Sequence, residues 1–297
     1  MQSLNRKLLI KNTTFPNREY IPALWIKAES AIEVFPSEYL WIVEPSHEKP
    51  NWVNDIKSLN TWYWSDIVKR INSIAYIYSR KLQDLFRALE YALPENAILL
   101  SALSLRSLIE TVASLNWLFI FISKRFKEFD IEALNYESVI DEQLETELIR
   151  MTHGSRFNWK AYLSGDFDKL IKSPNEVSEN WMQRNILGRI NKLAKQKRYD
   201  SLRIIYDLLC EFAHPNFGSN LIYVRKEEMN EVGVRILLGS VQSRHDTIEF
   251  LEPLTGALLS CCQITDETLS NIISTVDDIS KWCQNNYIYY VKKGKGL

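Results

Sequence analysis

The amino-acid sequence predicts a mainly α-helical protein, a bundle of several helices with a small β-hairpin inserted near residues 221–239. Apolar residues recur at intervals of three and four over most of the chain, which is the spacing of one face of a helix. Only nine Gly and nine Pro occur in 297 residues, which is few for the many tight turns of an all-β fold. The hydrophobic share of 46% is large enough to bury a sizeable core.

The first 50 residues differ from the rest, because five prolines interrupt every helical pattern there. We predict that residues 1–50 form an arm that packs on a main helical domain, residues 51–297. Short apolar pieces of this arm, such as Ala23 to Ile26, fit short strands or single turns.

The main domain opens with Trp52 to Leu93, which contains neither Pro nor Gly and is predicted as one long helix or two close ones. The next predicted helix, Asn96 to Phe126, is apolar nearly all round, as a central helix should be. An acidic, solvated helix is predicted at 127–148 and a polar loop at 150–156.

The later part of the chain returns to helix around the predicted hairpin. A helix from Tyr199 to His214 should end at Pro215, because the residue before a proline avoids the helical region. The segments Leu221–Val224 and Val232–Leu238 flank a polar turn and form the expected hairpin. Residues 247–290 are predicted to be helical again.

Charge and hydropathy exclude several functional classes. The net charge of −1 does not suit a protein that coats nucleic acid with its whole surface. The N-terminus lacks the long apolar segment of a secretory signal. The uninterrupted apolar stretch Thr111 to Ile122 is shorter than the roughly 20 residues that span a bilayer. We therefore expect a cytoplasmic protein without a membrane segment.

No motif of metal or cofactor chemistry is present in the sequence. The four cysteines include no Cys-x-x-Cys pair and are expected to be free, buried thiols. Glycine-rich phosphate loops and the Gly-x-Ser-x-Gly and His-Glu-x-x-His motifs are absent. We predict no cofactor and no metal.

Arg106 and Glu110 are the first candidate site residues, because they are charged positions of the otherwise apolar central helix. They are one turn apart and can touch. A charge buried without a partner is costly, so two interpretations are open. The pair is either an internal salt bridge that orients neighbouring helices or the polar floor of a pocket.

His214 is the second candidate. Tyr206, Cys210 and His214 are spaced by four and share one face of their predicted helix, and Glu211 is a neighbour of His214. Histidine can donate or accept a proton near neutral pH, but a structural His at a helix end fits the same position. Glu211-x-x-His214 also has the spacing of half a di-iron site, whose second copy is missing.

A basic run between Arg184 and Arg203 is the third candidate. It can hold an RNA backbone, or it can be an ordinary solvated face. The predicted nucleic-acid-binding residues are Arg184, Arg189, Lys192, Lys195, Lys197 and Arg198.

Two segments of the chain resemble a known group of proteins. Tyr206 to Ser219 reads Tyr-Asp-Leu-Leu-Cys-Glu-Phe-Ala-His-Pro-Asn-Phe-Gly-Ser, and an earlier helix carries Arg106-Ser-Leu-Ile-Glu110. This combination resembles bacterial helical proteins related to the HEPN class, helical domains that are often RNases of toxin–antitoxin and phage-defence systems. HEPN RNases usually place an Arg four to six residues before the His. Leu and Cys occupy those positions here, so Arg106 would supply the cation.

The resemblance implies a pocket whose members are His214, Arg106, Glu110, Glu211, Tyr206 and Asn216. In an enzymatic protein it would cleave RNA without metal, with His214 as general acid or base and Arg106 stabilising charge on the phosphate. In the alternative, the same residues form a structural network of a non-catalytic interaction or regulatory subunit, which binds a protein partner or forms a homo-oligomer.

Overall fold

The computed structural model of the protein describes residues 21–35, 56–93, 95, 97–129, 139–153, 157, 159–169, 186–215, 220, 223–230, 233–238 and 246–285. Within these ranges the chain forms eight α-helices, which confirms the mainly helical fold class. In chain order they are α1 (Ile21–Glu33), α2 (Ile56–Ala92), α3 (Ile98–Lys127), α4 (Glu142–His153), α5 (Trp159–Ser164), α6 (Ile186–Ala194), α7 (Leu202–Ala213) and α8 (Asp246–Asn285).

Two strands lie between α7 and α8. β1 (Val224–Asn230) and β2 (Gly233–Leu238) pair antiparallel, with Asn230 opposite Gly233 and Val224 opposite Leu238. They fall in the segment 221–239, and the residues of the turn between them lie outside the described part of the chain.

The fold divides into two compact units, and α2, α3 and α8 contribute residues to both. The first unit comprises residues 1–35, 78–117 and 186–270; the second comprises residues 36–77, 118–185 and 271–297. The predicted division into an arm at 1–50 and a main domain stays a prediction.

A helix occupies the segment where the sequence suggested short strands or single turns. α1 begins one residue before Pro22, so the proline lies in the first turn, where its missing N–H is not needed. The rings of Trp25 and Phe86 pack with centroids 5.1 Å apart, and Arg80 donates a hydrogen bond of 3.0 Å to the carbonyl oxygen of Phe35. The prediction was wrong because Pro22 was taken as a helix breaker.

The acidic helix begins later than the sequence suggested. α4 starts at Glu142 and continues to His153, so the first residues of the predicted polar loop at 150–156 are helical, and residues 130–138 are outside the description. The side chain of Asp141 fixes the start, because its Oδ1 accepts the backbone N–H groups of Gln143 and Leu144, both at 3.1 Å.

In the first unit, α3, α7 and α8 each carry apolar side chains that are completely or almost completely buried. These side chains are Leu105, Leu108, Ile109, Val112, Leu209, Phe212, Leu258 and Cys261. Polar contacts fix the same packing: Asn116 donates to the hydroxyl of Thr268 at 3.1 Å, and Tyr199 donates to Glu267 at 3.1 Å.

The second unit contains a buried network of charged side chains. Arg70 of α2 pairs through Nε with Asp66 at 2.8 Å and through Nη1 with Glu145 of α4 at 2.6 Å. Asp141 pairs with Arg125 of α3. These ion pairs attach α4 to α2 and α3 beside the buried residues Leu144 and Leu148.

Tyr63 extends this network. Its hydroxyl oxygen accepts the backbone N–H of Asp141 at 3.2 Å. Burial raises the pKa of Tyr63 well above its ordinary value, and the neighbouring carboxylates of Glu145 and Asp141 raise it further. The Tyr63 hydroxyl is therefore neutral near physiological pH.

Helix α3 is, within the described residues, the one helix that is long and apolar enough to cross a membrane by length and composition. An 18-residue window of it is 61% buried inside the protein. The contacts of α3 with α7 and α8 in the first unit are those of a core helix.

We predict that Arg70→Met lowers the free energy of unfolding by about 3–5 kcal/mol, because it removes the guanidinium from two largely buried carboxylates. Urea denaturation measures the loss. Arg87→Met is the control on the same helix, because Arg87 meets Asp84 at 3.7 Å on an exposed surface and such pairs contribute less than about 1 kcal/mol. Equal losses in the two variants would contradict the assignment.

Candidate functional site

Arg106, Glu110 and Tyr206 come together between α3 and α7. Oε1 of Glu110 accepts two hydrogen bonds, from Nε of Arg106 at 3.2 Å and from the hydroxyl of Tyr206 at 2.8 Å. The guanidinium carbon of Arg106 lies 5.9 Å from the centre of the Tyr206 ring. The side chains of Arg106 and Glu110 remain 28% and 33% exposed. The site is therefore a paired cluster that water still reaches.

The local sequence explains why this cluster forms. Arg106 and Glu110 are one turn apart on α3, which places both on the same face. Tyr206 lies on the buried face of α7 together with Leu202 and Leu209. Burial of that apolar face brings the phenol against α3, and the hydroxyl then needs an acceptor, which Glu110 provides.

The cluster changes the acid–base properties of its members. Burial raises the pKa of Tyr206 above its ordinary value, and the hydrogen bond to Glu110 raises it further, whereas Arg106 opposes the rise. Burial lowers the pKa of Arg106, but the interactions with Tyr206, Cys210 and Glu110 raise this pKa by more. The pKa of Arg106 is therefore above its ordinary value. Arg106 is thus a permanent cation and Tyr206 a neutral hydrogen-bond donor.

His214 is the C-cap residue of α7, and its backbone is extended rather than helical. Cys210 is close enough to Arg106 to influence its pKa, and its carbonyl oxygen accepts the backbone N–H of His214 at 3.2 Å. His214 is therefore one turn beyond a residue that neighbours Arg106. His214 and Glu211 are exposed, and Asn216 lies outside the described residues.

The predicted basic surface is only partly assembled. Lys192, Lys195 and Lys197 are exposed, and Nζ of Lys192 lies 4.2 Å from the centre of the Trp117 ring. Arg198 forms a two-pronged ion pair with Glu267. Three lysines are thus left as an exposed cationic group, which we call the lysine face.

Two arginines predicted for this surface are not part of the lysine face. Arg189 is 5% exposed on the buried side of α6, near Tyr78. As a predicted nucleic-acid-binding residue, Arg189 was expected to face solvent. The structure instead buries it in α6 together with the core residues Ile190 and Leu193. Arg184 lies outside the described residues.

The helix predicted from Tyr199 to His214 is shorter than expected. A 3-10 turn, Lys197–Tyr199, precedes α7, which begins at Leu202. This break allows the hydroxyl of Tyr199 to donate a hydrogen bond to Glu267 of α8. Burial raises the pKa of Tyr199 above its ordinary value, and the negative charge of Glu267 raises it further.

Sequence reasoning missed the buried network around Arg70. The available signal was the Asp66-x-x-x-Arg70 pair on an apolar helix, the same type of signal that drew attention to Arg106 and Glu110. The described residues contain no group of three or more His, Cys, Asp or Glu side chains that could hold a metal ion. Comparison of the chain with models of protein families, with curated proteins and with solved structures finds no match.

We predict that the folded protein loses stability at alkaline pH partly through Tyr206. The pKa of Tyr206 in the folded chain is above the ordinary value of 10.0. Its contribution to the free energy of unfolding is therefore complete below about pH 10, and it is lost as the pH rises from there towards the pKa of Tyr206 in the folded chain. Urea denaturation between about pH 9 and 11 measures the slope. Tyr206→Phe should give a shallower decline than the wild type, and equal slopes would contradict the prediction.

Proposed function

We propose that the chain is a HEPN-like helical protein that binds RNA and cleaves it without metal, in a bacterial defence or toxin system. The observation that carries the proposal is the partly exposed, paired Arg106 beside α7, the helix that ends at the exposed His214. Cys210 of α7 is close enough to Arg106 to influence its pKa, and His214 is the C-cap residue of the same helix. In this proposal Arg106 and His214 act on one phosphodiester, because a cation and a general acid or base are the groups that metal-free cleavage requires.

Arg106 is held in a way that suits phosphate binding. Its recorded ion pair with Glu110 uses Nε, which leaves the terminal nitrogens outside that pair. The Tyr206 ring and the Glu110 carboxylate fix the guanidinium before any ligand arrives. An arginine oriented in this way contributes to charge stabilisation without reorganising during the reaction.

The proposed reaction uses the ribose 2′-hydroxyl as nucleophile. His214 removes its proton, the 2′-oxygen bonds to phosphorus, and the bond from phosphorus to the 5′-oxygen breaks. The leaving 5′-oxygen takes up a proton from solvent water, and the products are a 2′,3′-cyclic phosphate and a 5′-hydroxyl end. Arg106 stabilises the negative charge that builds up on the phosphoryl oxygens.

The lysine face is the proposed binding surface for the RNA backbone. It consists of Lys192, Lys195 and Lys197, whose ammonium groups are exposed. Lys192 lies over Trp117 of α3, and Arg106 is eleven positions earlier on the same helix, which is about 16 Å at the helical rise. In this proposal the strands at 224–238 form an insertion in the helical bundle and are not assigned to the pocket.

The cleavage proposal predicts that Arg106→Ala and His214→Ala each lower the rate of cleavage of a single-stranded RNA by at least about 100-fold. The assay is run in EDTA and detects the cyclic phosphate end. Arg87→Ala, an exposed arginine of α2, is the control and should keep the wild-type rate. Cleavage that survives both pocket variants, or a wild-type protein that cleaves no RNA, contradicts the proposal.

A second candidate function is favoured by the pairing of Glu110. Its Oε1 is already occupied by Arg106 and by Tyr206, and Arg198 is occupied by Glu267. Ion pairs and hydrogen bonds of this kind are typical of a structural network. The alternative is therefore a non-catalytic interaction or regulatory subunit, in which the cluster aligns α3 with α7 and the exposed surfaces contact a protein partner or a second copy.

This alternative predicts a loss of stability without any activity to lose. Tyr206→Phe should lower the free energy of unfolding by about 1 kcal/mol, because Glu110 loses a hydrogen bond but can still reach water. Tyr91→Phe, at an exposed position of α2, is the control and should change it by less than about 0.5 kcal/mol. Urea denaturation measures both, and equal stabilities of the two variants would exclude a structural role for the cluster.

A further inference from the structure

The second unit buries polar atoms of α2 that have no hydrogen-bond partner within the described residues. Asn60 is 0% exposed, and both Nδ2 and Oδ1 of its amide are without a partner. Trp64 is also buried, and its indole Nε1 lacks a partner. Buried polar groups of folded proteins are nearly always bonded to protein or to an internal water. Three such atoms within about one helical turn indicate that a small molecule is bound there by hydrogen bonds.

The spacing of the two side chains suits a single bridging molecule. Asn60 and Trp64 are four residues apart on α2 and therefore share one face. The Cβ atoms of residues at this spacing lie about 5–6 Å apart. A small molecule placed between the two side chains is therefore within reach of both the amide and the indole.

The neighbouring helices and aromatic rings restrict the size of this bound molecule. The carbonyl oxygen of Thr61 accepts a contact from Sγ of Cys283 at 3.8 Å, which places α8 beside this turn of α2. On another side, the Trp64 ring meets the rings of Phe126 and Phe129 at 5.1 and 5.3 Å. Because these groups pack closely around Asn60 and Trp64, only a small molecule fits between them.

The donors and acceptors decide its chemistry. The Asn60 amide offers two N–H donors and one oxygen acceptor, and the Trp64 indole offers one donor. A metal cation is repelled by N–H donors, whereas a water molecule both accepts and donates and commonly has about three partners in protein interiors. We propose that an internal water molecule bridges the side chains of Asn60 and Trp64 in the core of the second unit.

The first test is a crystal structure of the full chain at a resolution that shows ordered water. A water peak is expected within about 2.7–3.2 Å of the Asn60 amide and of Trp64 Nε1. An empty position there, or direct bonding of the Asn60 amide to another protein atom, would overturn the proposal. This test needs no variant and is independent of the proposed RNA chemistry.

The second test uses the sign of a stability change. Asn60→Leu replaces the amide by an apolar side chain of similar size. If the water is present, the variant loses its bonds and leaves Trp64 Nε1 unpaired, so the thermal midpoint should fall by roughly 2–4 °C. If the amide is truly unpaired in the native protein, the same change should raise the midpoint, because the buried polar atoms are removed. A rise would overturn the proposal.

A matched pair of double variants tests whether one molecule is shared. Trp62→Phe makes the same chemical change as Trp64→Phe, at another buried indole that has no hydrogen-bond partner among the described residues. Trp62 points to the opposite side of α2 from Asn60, because two residues turn the helix by about 200°. The changes in midpoint should be less than additive for Asn60→Leu with Trp64→Phe and additive for Asn60→Leu with Trp62→Phe. Additivity in both pairs would contradict a shared water.

Discussion

The need to pair charges on a largely buried helix shapes the structure of this protein. Helix α3 is apolar over most of its length, and each of its partly buried ionic side chains requires a partner. In the first unit, Glu110 accepts hydrogen bonds from Arg106 and from Tyr206 of α7. In the second unit, Arg125 pairs with Asp141, which caps α4. Packing against α3 is therefore specified by charge as well as by shape.

The same pairing gives the candidate site its two possible roles. Glu110 orients the guanidinium of Arg106 through Nε, and the Tyr206 ring lies beside it. An arginine held in this way can serve a phosphate, and it can equally hold two helices in register. The two roles differ in whether the exposed His214 and the lysine face act together with the cluster. The internal bonds of the cluster are the same in both roles.

The basic run shows why charge in a sequence is a weak indicator of a binding surface. Seven basic residues between 184 and 203 look alike as letters, but they have different positions in the fold. Arg189 is buried beside Ile190, and Arg198 is paired with Glu267. Arg203 pairs with Asp207 and donates to Asn191. Among the described residues of this run, the exposed cations outside such pairs belong to Lys192, Lys195 and Lys197.

The sequence by itself determined the elements that follow from local rules. Helical periodicity and the scarcity of Gly and Pro predicted the long helices α2, α3 and α8 to within a few residues, because an apolar stripe specifies helix wherever it is buried. The Arg106–Glu110 contact was predictable for the same reason, since residues four apart on a helix are neighbours. α1 could have been predicted from Pro22, which a helix tolerates in its first turn.

Only the tertiary structure decided which distant residues meet. No local rule brings Tyr206 to Glu110, Glu145 to Arg70 or Arg198 to Glu267, because the partners are separated by between 69 and 96 positions. Such contacts depend on how the apolar faces of whole helices pack. Burial of those faces fixes which charged side chains are paired and which stay exposed. The difference between a binding surface and an ordinary solvated helix depends on which charged side chains stay exposed.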